Sequence, residues 1–132
     1  MDQTQPLMSG ENFMAPVTDE FKKAVFRLQD ALAQPKNEFI RDSVIQRFEF
    51  SIELAWKTSK KVMGTATTAP KDIIREMAQA GYINDIQQWL LAVDMRNLSS
   101  HTYKEALAEQ VYNFAQQFVS ELSKLSDDLS KK

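Results

Sequence analysis

The stretch NEFIRDSVIQRFEFSIELAWKTSKKVMG, residues 37–64, determines the fold because it carries the signals of one long helix. Asn37 is a favourable N-cap, and Gly64 is a favourable C-terminal stop. Phe39, Phe50 and Leu54 lie on or near one side of this helix. The opposite side is a continuous apolar face formed by Ile45, Phe48, Ile52, Ala55, Trp56 and Met63. A helix that is apolar on two sides is buried on two sides, in its own bundle or against a second copy. We therefore predict a homodimer.

Helical spacing continues on both sides of this stretch. Before it, apolar residues recur every three or four positions from Phe21 to Leu32, and Pro35 ends that helix. After it, Pro70 suits the first turn of a short helix that runs to Ala80 and is ended by Gly81.

Two capping boxes predict where the remaining helices begin. Asn84 to Gln87 precedes a stripe of apolar residues that ends near Val93, and Thr102 to Glu105 precedes a stripe that continues to Leu129. No β-type alternation of useful length is present. We predict an all-α fold, an up-and-down four-helix bundle with one extra short helix.

Length and composition indicate a single domain. The chain has 132 residues, of which 43% are apolar and 26% charged, as in ordinary soluble globular proteins. We assign residues 1–16 to a mobile N-terminal tail, residues 17–128 to the helical domain and residues 129–132 to a frayed C-terminus. The start has no basic n-region, and no apolar stretch approaches the ~20 residues of a membrane helix. We expect a cytoplasmic protein with no membrane contact.

Charge and residue usage restrict the chemistry. The net charge of −2 argues against broad nucleic-acid binding, so any RNA contact should be local. The chain has no cysteine and one histidine, which excludes disulfides, thiol nucleophiles and a histidine-rich metal site. We expect no metal and no cofactor.

The segment Arg96-Asn97-Leu98-Ser99-Ser100-His101-Thr102-Tyr103 is the candidate site. Arginine is a permanent cation with a planar donor fork suited to phosphate, and histidine exchanges a proton near neutral pH. On one continuous helix, residues five apart point about 140° away from each other. A break at residues 98–100 lets Arg96 and His101 converge. The pair can then hold and cut a phosphodiester without a metal.

A structural interpretation of the same residues stays open. Arg96 could bond the last carbonyls of its helix or pair with Glu53 or Asp94. His101 could be a turn residue, and Tyr103 could be half-buried core. Glu53 borders the apolar stripe of the long helix, and we predict that it braces Arg96 in the manner of a carboxylate that orients a working cation.

The motif resembles the Arg-x4-His-x-Tyr signature of the HEPN superfamily. Residues 47–57, RFEFSIELAWK, resemble the long second helix of one branch, the nucleotidyltransferase substrate-binding protein family, as do residues 70–76 and 80–83. The resemblance covers about residues 20–125. It implies a HEPN-like homodimer that is encoded beside a minimal nucleotidyltransferase.

Relatives of the HepT toxin in this family are metal-independent RNases with paired motifs at the dimer interface. By this resemblance Arg96 and His101 are catalytic, Asn97 is a supporting polar neighbour and Tyr103 accepts AMP from the transferase, which silences the toxin. Two alternatives remain: a non-catalytic substrate-binding subunit of a two-component nucleotidyltransferase, and a purely structural dimer.

Overall fold

The computed structural model describes residues 10–132, with side chains from Thr18 onward. Its helices are α1 (Gly10–Leu32), α2 (Glu38–Met63), α3 (Pro70–Gln79), α4 (Ile86–Leu98) and α5 (Glu105–Ser130), and a 3₁₀ turn (Ser99–His101) joins α4 to α5. No strand occurs in this part of the chain, so the predicted all-α class is confirmed. Residues 1–9 of the predicted tail lie outside the described residues, and α1 begins within the stretch assigned to that tail.

The three long helices pack against one another and enclose the core. α1, α2 and α5 contact one another more extensively than any other pair of helices does, whereas α4 completes the bundle and α3 is the extra short helix. Trp89 of α4 meets Phe118 of α5 edge to face, with ring centroids 4.7 Å apart. Phe21, Phe48 and Phe118 are completely buried. Each buried side chain of this size contributes about 1.5–3 kcal/mol of transfer free energy, so the core accounts for the association of the helices.

The ends of α2 are where the sequence predicts them. The Asn37 side chain accepts a hydrogen bond from the Ile40 N–H at 2.8 Å. Gly64 has φ 70°, a left-handed conformation that glycine adopts without strain. Its N–H donates to the carbonyl of Lys60 at 2.9 Å, which closes the helix. Pro70 occupies the first turn of α3, as predicted.

Both predicted capping boxes are wrong in register. Asp85, not Asn84, caps α4 and accepts from the Gln88 N–H at 3.1 Å. Thr102 does not cap α5, because the chain continues through the 3₁₀ turn and leaves Thr102 at φ −79°, ψ 5°. An N-cap residue typically has extended backbone, and Lys104 has it before α5, at φ −87°, ψ 122°. The Lys104 side chain makes no capping hydrogen bond.

Within residues 10–132, no helix combines the length and the apolar character that crossing a membrane requires.

Candidate functional site

The candidate site lies where α4 ends and the chain turns into α5. Arg96 is in the last turn of α4, with its side chain 28% exposed. Asn97 and His101 are exposed, and Tyr103 lies in the turn between the 3₁₀ segment and α5. The predicted break in the helix is therefore present.

Hydroxyl groups of the turn hold its backbone in place. Ser99 Oγ donates to the carbonyl of Arg96 at 2.5 Å, and Ser100 Oγ donates to that of Asn97 at 3.0 Å. Thr102 Oγ1 donates to the carbonyl of Ser99 at 3.1 Å. These bonds add side-chain donors to carbonyls at the end of α4, and the Arg96 carbonyl also accepts from the Ser99 N–H. The run of hydroxyl residues thus stabilises the 3₁₀ turn that follows α4.

The Arg96 guanidinium reaches across to α2. Its Nη2 donates to Glu53 Oε1 at 2.7 Å and lies 3.3 Å from Glu49 Oε2. Glu53 also accepts from Lys57 Nζ, through Oε2 at 2.9 Å. Two cations and two carboxylates thus form a partly buried cluster whose formal charges cancel. The bond from Arg96, and then that from Lys57, holds the pKa of Glu53 below its ordinary value.

The interaction between Arg96 and Glu53 agrees with the sequence prediction, and Glu49 is the partner that sequence reasoning missed. The available signal was spacing, since Glu49 precedes Glu53 by four residues and so shares its face of α2. Asp94, the other suggested partner of Arg96, instead pairs with Lys71 Nζ at 2.7 Å. Whether Glu53 supports a reaction stays a prediction.

His101 and Tyr103 lie next to each other on the surface. Their ring centroids are 6.2 Å apart and their planes cross at 68°. Tyr103 is 78% exposed, so the interpretation of this residue as half-buried core is wrong. Among the described residues, no hydrogen bond joins His101 to Arg96, because the guanidinium is directed toward α2. The single chain thus places Arg96 and His101 at the two ends of one short turn.

The side-chain hydrogen bonds of Arg96 to described residues all use Nη2. Nε and Nη1 are therefore available for an anion. A partly exposed guanidinium of this kind can bind a phosphate oxygen. The described residues contain no group of three or more histidine or carboxylate side chains placed to hold a metal ion.

Comparisons with known proteins agree on one family. The profile of the family described as "nucleotidyltransferase substrate binding protein like" matches residues 18–131. A Haemophilus influenzae protein described as a probable ribonuclease HepT is 32% identical over 115 residues, which cover 81% of this chain and 77% of that protein.

Two solved structures are also similar. A Thermus thermophilus protein has a TM-score of 0.77 and 28% identity, covering 83% of this chain and 98% of its own. A second structure, from H. influenzae, has a TM-score of 0.64 and 30% identity, covering 91% of this chain and 98% of its own. It is described as revealing the fold of a substrate-binding domain of a nucleotidyltransferase.

Proposed function

The chain belongs to the nucleotidyltransferase substrate-binding protein family, and we propose that it is the HEPN-type companion subunit of a minimal nucleotidyltransferase and acts as a HepT-like toxin. Its activity is that of a metal-independent endoribonuclease. The observation that carries this proposal is the placement of Arg96 and His101 at the two ends of one turn, whose backbone is held by side-chain hydroxyl groups. The similarity to a probable ribonuclease HepT supports it.

The proposed reaction is an internal transesterification of RNA. His101 accepts the proton of a ribose 2′-hydroxyl as that oxygen attacks the adjacent phosphorus. Arg96 stabilises the negative charge that builds on the phosphoryl oxygens, using the donors that Glu53 leaves free. The bond from phosphorus to the 5′-oxygen breaks, the leaving oxygen takes a proton from solvent water, and His101 returns its proton to solvent. The products are a 2′,3′-cyclic phosphate and a 5′-hydroxyl.

Neighbouring residues support this chemistry. Glu53 holds the Arg96 guanidinium against α2, so the guanidinium is oriented before RNA binds. Asn97 is exposed beside Arg96, where its amide can hydrogen-bond a phosphate oxygen. No metal or cofactor takes part.

Silencing by AMP transfer fits the exposure of Tyr103. The side chain is 78% exposed, so a transferase can reach its hydroxyl. The modified tyrosine would carry a phosphate and a purine next to the His101 ring. Both would compete with RNA for the same surface.

The proposed assembly is a homodimer that binds the transferase. Phe39 and Phe50 of α2 are 82% and 49% exposed. Large aromatic side chains in water favour association because burial removes apolar area from solvent. A dimer would bring two copies of the motif into one assembly.

A second candidate function is a non-catalytic substrate-binding subunit of a two-component nucleotidyltransferase. The observation that favours it is the pairing of Arg96 with Glu53 and Glu49, without a bond to His101. An arginine held in this way can bind an anionic substrate without promoting a reaction.

RNA cleavage in EDTA separates the two functions. The purified protein is incubated with a labelled single-stranded RNA and with a matched RNA that has 2′-deoxyribose at every position of the cleaved stretch. The RNase proposal expects cleavage of the first RNA alone, with 2′,3′-cyclic phosphate ends identified by mass spectrometry. Equal cleavage of both RNAs would contradict the 2′-hydroxyl mechanism. Absence of cleavage, together with stable binding to a nucleotidyltransferase, would support the second function.

A further inference from the structure

A buried arginine at the start of α2 contacts the first turn of α5. The Arg41 side chain is 7% exposed. Its Nη1 donates to Glu105 and, at 3.0 Å, to Glu109 Oε2. Its Nη2 lies 3.5 Å from Glu105 Oε1, so the guanidinium spans both oxygens of that carboxylate. Glu109 is shared with Lys36, whose Nζ lies 2.5 Å from Oε1.

These bonds hold the first turn of α5, which has no side-chain cap of its own. α5 begins at Glu105, and the residue before it makes no capping side-chain bond. The hydroxyl that the sequence offers as a cap, that of Thr102, is used by the carbonyl of Ser99. The start of α5 is therefore held from outside, by a cation on another helix. A planar donor fork in contact with two carboxylates restricts orientation as well as distance.

The position of α5 determines the position of the turn. Three residues, 102–104, separate His101 from Glu105, and the Lys104 N–H donates to the His101 carbonyl at 3.2 Å. Upstream, Ser99 Oγ ties the turn to the Arg96 carbonyl. Because the connecting segment is this short, a displacement of Glu105 also displaces His101.

One helix thus holds both ends of the candidate site. α2 binds Arg96 through Glu49 and Glu53, and it binds the start of α5 through Arg41. Arg41 and Glu53 are twelve positions apart on α2, about 18 Å along its axis. The turn that carries His101 and Tyr103 lies between these two points of contact with α2.

We propose that Arg41 is a positioning residue, which places His101 and Tyr103 relative to Arg96 by holding Glu105 and Glu109. This inference rests on the proposed function for its catalytic consequence, although the positioning itself is measurable without RNA. It assigns Arg41 no contact with substrate.

Three substitutions test the proposal by hydrogen exchange, and a fourth, Arg41→Lys, is added for RNA cleavage. Arg41→Gln removes the charged fork. Glu105→Gln changes the carboxylate that both guanidinium Nη atoms contact. The Glu105 side chain is 75% exposed, so we expect this variant to fold even if the loss of Arg41 impairs folding. Arg75→Gln is the matched control, because it breaks an exposed ion pair with Asp72 on α3, outside this cluster.

Amide hydrogen exchange is the first readout. In Arg41→Gln and Glu105→Gln we expect residues 101–108 to exchange about tenfold faster, while residues 44–56 of α2 keep the wild-type rate. Arg75→Gln should match the wild type in both segments. Unchanged exchange at 101–108 would overturn the proposal, and so would an equal increase in both segments, since that would mean a general loss of stability.

The second readout is RNA cleavage in EDTA. A displaced histidine lowers kcat while leaving RNA binding in place, so kcat should fall by about tenfold or more with KM nearly unchanged. Arg41→Lys, which keeps the charge but loses the fork, should recover part of kcat. Faster exchange with unaltered kcat would overturn the positioning role. If the wild-type protein cleaves no RNA, the proposed function fails, and hydrogen exchange alone decides whether Arg41 fixes the turn.

Discussion

Arg96 Nη2 donates to Glu53 Oε1 at 2.7 Å, and this bond joins the end of α4 to the middle of α2. Glu53 in turn accepts from Lys57 at 2.9 Å, so the carboxylate lies between two cations. An arginine on a helix end would otherwise move freely in solvent. Here one of its donors is fixed by protein and the others remain available, which is the arrangement a phosphate-binding arginine requires.

Removal of either proposed catalytic residue should abolish RNA cleavage. Arg96→Ala and His101→Ala should each lower the rate by about 10³-fold or more, and the double variant should be little worse, because the two residues act as a unit. His101 is exposed, so His101→Ala should keep the wild-type helical circular dichroism signal and Tm. Arg96→Ala should retain the fold with a small loss in Tm.

The matched control is Arg75→Ala, which removes an exposed arginine that pairs with Asp72 on α3. It should cleave RNA at the wild-type rate. Activity that persists in His101→Ala would rule out the proposed proton transfer. A collapse of Tm in His101→Ala would instead favour a structural role for this residue.

Glu53 should give the protein a measurable acid sensitivity. Arg96 and then Lys57 lower its pKa in the folded state, whereas in the unfolded chain its pKa is about 4.3. The folded state therefore binds fewer protons. The stabilisation is complete well above pH 4.3, and it is lost as the pH falls through the lower, folded-state pKa.

In Glu53→Gln the side chain at this position cannot titrate. The variant should therefore lack the part of the stability loss at low pH that protonation of Glu53 causes. We expect its Tm to lie several degrees below the wild-type value at pH 7, and the difference to shrink toward pH 3. Glu20→Gln on α1, which replaces an exposed carboxylate, is the control and should follow the wild-type curve. A difference in Tm that stays constant from pH 7 to pH 3 would contradict the assignment.

Most features that depend on neighbours in sequence could be predicted, although the cap of α4 was misplaced by one residue. Features that depend on the packing of helices could not be predicted. The caps of α2 are local, so Asn37 and Gly64 were sufficient to place its ends. The start of α5 was misplaced because Thr102 has two possible uses. Its sequence spacing suits a cap, but the 3₁₀ turn places its hydroxyl against the Ser99 carbonyl.

The role of Arg41 could be identified only from the three-dimensional structure, although the sequence contained a signal. Arg41 lies four residues before Ile45 and seven before Phe48, on the stripe that forms the core face of α2. A charged residue in such a stripe indicates a buried ion pair. Its partners, Glu105 and Glu109, are more than sixty residues away in sequence, so only the fold identifies them.

The exposed aromatic residues of α2 should mediate dimerisation. Phe39 is 82% exposed and Phe50 49% exposed, and their burial would contribute about 25 cal/mol per Å² before the entropic costs of association. The wild-type protein should be a dimer at micromolar concentration by multi-angle light scattering. Phe50→Ser and Phe39→Ser should shift it toward monomer by about tenfold or more in Kd.

Phe26→Ser is the control for this experiment, because it removes a phenylalanine that is 55% exposed on a different helix, α1. It should leave the dimer intact. A wild-type protein that is monomeric at micromolar concentration would contradict the prediction. Equal loss of the dimer in all three variants would mean that no specific face of α2 is involved.

AMP transfer to Tyr103 should block the candidate site. The hydroxyl belongs to a side chain that is 78% exposed and whose ring lies 6.2 Å from that of His101, so a phosphate attached there lies within the same surface region. Incubation with ATP, magnesium and the transferase should raise the mass by one or more AMP units and abolish RNA cleavage. Tyr103→Phe should fold and cleave normally but gain no mass.

Tyr112→Phe is the matched control, since that tyrosine is buried in α5, and it should be modified like the wild type. If the transferase inhibits Tyr103→Phe as strongly as the wild type, control occurs by complex formation, because the only acceptor proposed at the site has been removed.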